Sequence, residues 1–515
     1  MRWMHPIQSR AARRLLLGAV CALPLACTAA QSAECILSPA GKLPLRYSGP
    51  GLNVTTEGSI NGVPATMLVA TQAYATLLTR NGLERRNLKL RNTGYGGSGG
   101  APPVYETQVQ EFAAGPIRVT RHTMTVVGSP GYADPYDAVL GAPFLLKADL
   151  EVSLATKELN FFLSKNCADA HLAYWDENAR VVPFEPRAED RANPHFIVHI
   201  NGQKMLAAIS STANFSSVLS GAARRAGIAF DAPGARRGED LIGVDGKRAH
   251  WITTVPSFVI GGETIRNAEL SVVESRPEDE SDIDVWLGDD FLRAYRVLFA
   301  MSQKKLYFSH VGGEPFGQRL KLEPWVQAEA DNGNADAQFA LANAYKEGKL
   351  VPRDDARAAA WMEKAVAGGS VHALLESGED LVKRREYAAA APRLRAALDK
   401  LPAERNSALT LYIARVRSGQ PELAKTELAA TFARSEGDEW PKPVADFFLG
   451  KIPLHTLLEQ AAADPKRGKE HRCSALSSMG DWYRAHGMTE AAKLRDAQLE
   501  ATCSDTLKDY VAIGD

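Results

Sequence analysis

The chain has 515 residues, 45% apolar and 23% charged, with a formal net charge of −1. These values fit a soluble globular protein of three or four domains. They exclude a nucleic-acid-binding reading, since no basic tract interrupts the balanced charge.

Arg10, Arg13 and Arg14 precede a short apolar run, Leu15 to Leu25. It is too short for a stable bilayer anchor, and Thr28-Ala29-Ala30 offers a cleavage site. Residues 1–30 thus read as a secretory signal peptide, with mature protein starting near Gln31 in the periplasm or outside the cell. Cys27 leaves lipidation as the alternative, although Pro24-Leu25-Ala26 is a poor lipobox. No later stretch is apolar enough to cross a membrane. Beyond this leader stand Cys35, Cys167, Cys473 and Cys503. An even number in an exported chain favours disulfides. Cys35 and Cys167 flank the first β-rich region, and Cys473 and Cys503 flank a helical hairpin, so these are the natural pairs. Without any C-x-x-C, no metal site and no cofactor are expected.

Residues 35–167 read as short strands punctuated by turns. Ile60-Asn61-Gly62 signals a tight turn, then an apolar strand runs into Ala70-Thr71-Gln72-Ala73. Thr93 to Gly100 is glycine-rich; its G-x-G-x-x-G is followed by Pro102 and Pro103 rather than a helix, which argues against a nucleotide site. Val104–Phe112 and Ile117–Val127 alternate as antiparallel strands around Gly115-Pro116. Leu150–Leu154 and Leu159–Phe162 form a closing hairpin. Residues 168–194 read as a linker whose Leu172-Ala173-Tyr174-Trp175 packs between lobes. Residues 195–312 repeat the plan. His195 to His199 reads as a strand with two partly exposed histidines about 13 Å apart. Ile200-Asn201-Gly202 leads to Ser210-Ser211-Thr212-Ala213, and Val297–Ala300 with Lys305–Phe308 closes the copy. Both clusters start at the same offset from their Asn, which marks an internal duplication.

The two copies resemble retropepsin-type aspartic protease lobes. In that family a strand after N-G-x-x ends in Asp-Thr-Gly-Ala or Asp-Ser-Gly-Ala, and a glycine-bearing flap and a hydrophobic-hydrophobic-Gly brace follow. Here the braces are Val139-Leu140-Gly141 and Trp286-Leu287-Gly288. The flaps fall at Gly94, Tyr95, Gly96 and Gly97 and at Gly243, Val244, Asp245 and Gly246. Ala70 and Ser210 stand where the family has its aspartates, and Gln72 and Thr212 where it has glycine. The family's reaction needs two facing carboxyls that share a proton. Ala70 holds no proton, and Ser210 has no base near it in sequence. The resemblance therefore implies an intramolecular pseudo-dimer, a monomer whose groove binds an extended peptide or protein, lined by Ala73 and Ala213, without cutting it. Asp137 and Asp284, each four residues before the bracing glycine, are symmetry mates that could rescue an acid pair; side-chain bonding to a turn is their simpler role. A purely structural envelope scaffold is the third reading.

From about residue 320 to 515 the period becomes 3.6, rich in alanine. Asn334–Tyr345 and Asp355–Ala367 form a helical pair closed by Gly368-Gly369. His372–Leu398, Ala408–Arg434 and Cys473–Thr502 follow, interrupted by Trp440-Pro441-Lys442-Pro443. These pairs resemble tetratricopeptide-type α/α repeats, which implies a scaffold for a peptide or protein partner. As a whole the chain resembles bacterial retropepsin-like aspartyl proteases with such a C-terminus.

Overall fold

The computed structural model describes residues 34–93, 104–128, 133–186, 192–231, 235–238, 240–243, 246–276, 282–316, 322–433, 439–465 and 467–504. Two β-rich lobes come first and an all-helical region follows.

One plan builds both lobes. Asn61, Gly62, Asn201 and Gly202 take φ of 53°, 76°, 51° and 81°. Consecutive positive φ values are what a two-residue type I′ hairpin demands. These turns join Asn53–Ile60 to Val63–Ala70 and Phe196–Ile200 to Gln203–Ile209. In each lobe the second strand of that hairpin runs parallel to a short strand at the bracing glycine, Ala138–Gly141 or Val285–Leu287. That short strand also pairs antiparallel with Leu77–Thr79 or Ser217–Leu219. The latter two lie parallel to one arm of a long hairpin, Ile117–Val127 or Glu263–Val273. Matched positions are buried in both copies: Ile60 and Ile200, Val69 and Ile209, Leu78 and Val218. The alternation that hides them is that of a strand with one face on the core.

A shared antiparallel sheet joins the lobes. Asp149–Ser153 pairs with Tyr295–Ala300, setting Val152 opposite Val297 and Leu150 opposite Phe299. Each strand is backed by its own hairpin partner, Glu158–Lys165 or Lys305–His310. Ile36–Ser48 extends one side and Arg180–Pro183 the other. The stretch read as a linker is therefore partly sheet. Leu172 and Ala173 are buried with Phe162, Leu298 and Tyr307, and Trp175 Nε1 donates to Ser309 Oγ at 3.2 Å. The Cys35–Cys167 disulfide closes the first lobe beside this cluster. His195 departs from expectation: it precedes its strand and is buried.

From Pro324 onward the chain is helical. Asn334 accepts the amides of Asp336 and Ala337 at the start of Ala335–Glu347, and Gly348 ends it in the left-handed region. Asp354 caps Asp355–Ala367 in the same way. Val371–Lys383 packs on Tyr387–Lys400, Asn406–Arg417 on Pro421–Phe432, and Gly468–Ala485 on Thr489–Cys503. A disulfide between Cys473 and Cys503 ties the last pair. The stretch after Trp440 is not a mere interruption; it carries the helices Lys442–Phe448 and Leu454–Ala462. Among the described residues no helix is long and apolar enough to cross a membrane. The two disulfides fit an oxidising compartment outside the cytoplasm.

The helical region is docked on the first lobe. Arg405 forms an ion pair with Glu84 at 2.6 Å, with both side chains nearly buried. Arg80 pairs with Glu439 at 2.7 Å. Asn334 Nδ2 donates to the Tyr47 carbonyl at 3.0 Å, and the Gly49 amide donates to Asp336 at 2.8 Å.

Candidate functional site

The two strands that follow the Asn-Gly turns end near Ala70 and Ser210, and both residues are buried. One residue further on, the copies lock together. The Thr71 amide donates to Ser211 Oγ at 3.1 Å, and the Ser211 amide donates to Thr71 Oγ1 at 3.2 Å. Thr71 Oγ1 donates to the Ile209 carbonyl at 3.0 Å, and Ser211 Oγ to the Val69 carbonyl at 2.7 Å. Each hydroxyl donates once and accepts once, so four buried backbone groups are satisfied by two side chains. Exposure of Thr71 is 0% and of Ser211 1%, so water does not serve these groups. Gln72 Nε2 also reaches across to Thr212 Oγ1. The clusters thus meet about a pseudo-twofold axis, with Ala70 and Ser210 adjoining the contact.

The turns after the clusters match as well. The Ala73 amide donates to Ala70 O at 3.0 Å, and the Ala213 amide to Ser210 O at 3.4 Å. Behind them, Ala73 O and Ala213 O accept from the amides of Ala142 and Asp289, both at 2.8 Å. The bracing glycines are required by space. A Cβ on Gly141 would stand 2.2 Å from Ala75 O, and one on Gly288 would stand 2.6 Å from Ala213 O. Their amides donate to hydroxyls at equivalent places, Thr76 Oγ1 at 3.1 Å and Ser216 Oγ at 2.9 Å.

Asp137 and Asp284 are symmetry mates, but neither faces the contact as an available acid. Asp137 Oδ2 accepts the Thr66 amide at 3.0 Å, and Arg85 and Arg86 pair with the same carboxylate at 3.0 and 3.2 Å. Asp284 Oδ2 accepts the Leu206 amide at 3.1 Å and pairs with Arg225 at 2.5 Å. Thr66 and Leu206 lie four residues before Ala70 and Ser210, about 13 Å along a strand. An arginine-neutralised carboxylate that already holds a backbone amide is a clamp on its own strand. The rescued acid pair is therefore set aside.

Asp290 is the acid bonded closest to the second cluster in sequence. Its Oδ1 accepts Ser216 Oγ at 2.7 Å and the Phe291 amide at 2.8 Å, and its Oδ2 accepts the Ser216 amide at 2.9 Å. Burial pushes its carboxyl up to about 6, against the lowering effect of the Ser216 bonds. Pro143 fills the matching place in the first copy, so Asp290 has no acidic mate there.

Gly94, Tyr95, Gly96 and Gly97 lie outside the described residues, as do Val244 and Asp245. Gly243 pairs with Gly246 in a small two-stranded hairpin, Leu241–Gly243 with Gly246–Arg248. Tyr74, two residues after Gln72, carries no signal in the sequence; it is 88% exposed. Only burial could reveal it, since a Tyr in an apolar run reads as core.

No family model matches this chain, and no curated protein is similar to it by sequence. Solved structures are similar at low identity. An aspartic proteinase from Irpex lacteus is 12% identical, covering 53% of this chain and 98% of its own, with a TM-score of 0.33. Basic 7S globulin from soybean is 9% identical, covering 53% and 97%, with a TM-score of 0.30. The protein edgp is 12% identical, covering 53% and 95%, with a TM-score of 0.29. These scores are low; the two lobes are defined by their own strand pairing and hydrogen bonds.

Proposed function

We propose that the chain is an exported pseudoprotease of the aspartic type. In this reading residues 1–30 direct export, and the groove between the lobes binds an extended peptide or protein segment without cleaving it. The helical region is a tetratricopeptide-like scaffold for a partner. The supporting observation is the crossed contact of Thr71 and Ser211, which frames Ala70 and Ser210 where a proton-sharing acid pair would have to stand. Neither side chain can act as general base at that place, and the acids at 137 and 284 are held by arginines. Binding by strand addition needs only backbone edges and side-chain pockets, and both outlast the loss of catalysis. Tyr74 offers an exposed aromatic surface beside the cluster.

The test is a peptide library incubated with the protein between pH 3 and 7, read for both retention and cleavage. Retention without cleavage, lost on Ala213→Trp, supports the proposal. Cleavage abolished by Asp137→Asn or Asp284→Asn defeats it. No retention would leave the lobes as a structural scaffold.

A further inference from the structure

An open cleft of about 750 Å³ lies in the helical region where it meets the first lobe, within the range of small-ligand sites. Leu375 and Ile413 contribute apolar wall, and Pro50 and Ala133 of the first lobe line one side. Two acids line it. Glu404, 6% exposed, accepts the Ala133 amide at 3.1 Å and the Ser407 amide at 3.4 Å. Glu379 accepts Ser407 Oγ at 3.2 Å, so one serine holds the two carboxyls side by side.

Glu379 and Glu404 differ from other acids of the chain in having no direct ion pair among the described residues. Glu84 has Arg405, Asp481 has Arg484, and Asp137 has Arg85 and Arg86. Among the ion pairs of the described residues none includes Glu379 or Glu404; Lys383, which also lines the cleft, lies 3.5 Å from Asp380. Glu404 is buried, and Glu379 is half-buried and eased by a cation only through space, from Lys383. A carboxylate taken from water without a direct ion pair is costly, and it either takes up a proton or waits for a charge from outside. Burial indeed pushes both carboxyls above their usual range, and Glu379 raises Glu404 further.

We propose that this cleft takes a ligand presenting an ammonium or guanidinium group on a slim aliphatic stem. The cation sits between Glu379 and Glu404, and the stem lies along Leu375 and Ile413. A free polyamine and a lysine or arginine side chain of a partner carry the same chemistry. This inference rests on the helical region being a binding scaffold and is independent of the groove between the lobes.

Calorimetric titration of the full chain with two probes tests it: spermidine, and an end-blocked tetrapeptide with one lysine. Binding of spermidine alone identifies a free amine as the ligand class, and binding of the peptide alone identifies a partner segment. In either case Glu379→Gln and Glu404→Gln should each weaken binding on the order of tenfold or more. Exposed Glu363→Gln should leave it unchanged, and circular dichroism confirms that the variants fold. No heat from either probe, or equal affinity in all variants, overturns the proposal. Retention of library peptides by the same sample would show that the groove reading survives that failure.

Discussion

Replacing Thr71 with valine removes one hydroxyl and little volume. The lost oxygen donates to Ile209 O at 3.0 Å and accepts from the Ser211 amide at 3.2 Å. Both partners lie on the other lobe, in a place that excludes water. Each orphaned buried group costs about 1–3 kcal/mol, so Thr71→Val, which orphans two, should lose roughly 2–6 kcal/mol. Valine at exposed Thr120 should change stability by less than about 0.5 kcal/mol. Urea unfolding of Thr71→Val, Ser211→Ala and the double variant, at equal m-values, completes a cycle. Residues sharing one hydrogen-bond network couple by about 0.5–3 kcal/mol. Strict additivity between positions 71 and 211 would refute the crossed contact and, with it, the frame around Ala70 and Ser210.

Asp137→Asn should lose about 3–5 kcal/mol, because Arg86 is left as an uncompensated buried charge. Thermal unfolding checks this, and library retention at a permissive temperature should be unchanged. Glu404 adds a pH dependence. Its carboxyl is pushed up to about 7 by burial and Glu379, against the Ala133 and Ser407 amides. An acid raised on folding stabilises fully below its unfolded value near 4.5 and loses that contribution as pH rises to 7, roughly 3 kcal/mol at most. Glu404→Gln should flatten stability between pH 5 and 7; Asp290 and Asp481, also raised, keep their own share of the slope in both proteins. A variant with an unaltered slope would contradict the assignment. Tyr74→Ala should weaken peptide retention severalfold with unfolding unchanged, as measured by equilibrium binding.

Local chemistry made much of this architecture legible. Asn61-Gly62 and Asn201-Gly202 are readable because few residue pairs accept two positive φ values in succession. Ile117–Val127 is readable because its alternation is long. The two polar clusters could be aligned by their offset, and the structure brings them to one contact. What sequence did not show is tertiary. Arg180–Pro183 is four residues long and gains its strand character from Lys305–His310, so the stretch looked like tether. Helix Lys442–Phe448 spans seven residues and opens after a proline, too short for a period to register. The arginines on Asp137 come from a helix, Arg80–Arg85, and its first neighbour, so the carboxylate's role could not be seen from its own neighbours. The pairing of Glu379 with Glu404 through Ser407 likewise needs two helices and a loop to meet.

The most direct measurement installs carboxylates at positions 70 and 210 and follows their protonation. In the Ala70→Asp, Ser210→Asp double variant, labelled side-chain carboxyls read by NMR should titrate as a coupled pair, with apparent values separated by more than about one unit. Two independent titrations near the ordinary aspartate value of about 3.9 would mean that positions 70 and 210 do not face one another, and a pseudoprotease reading would have no frame to stand on.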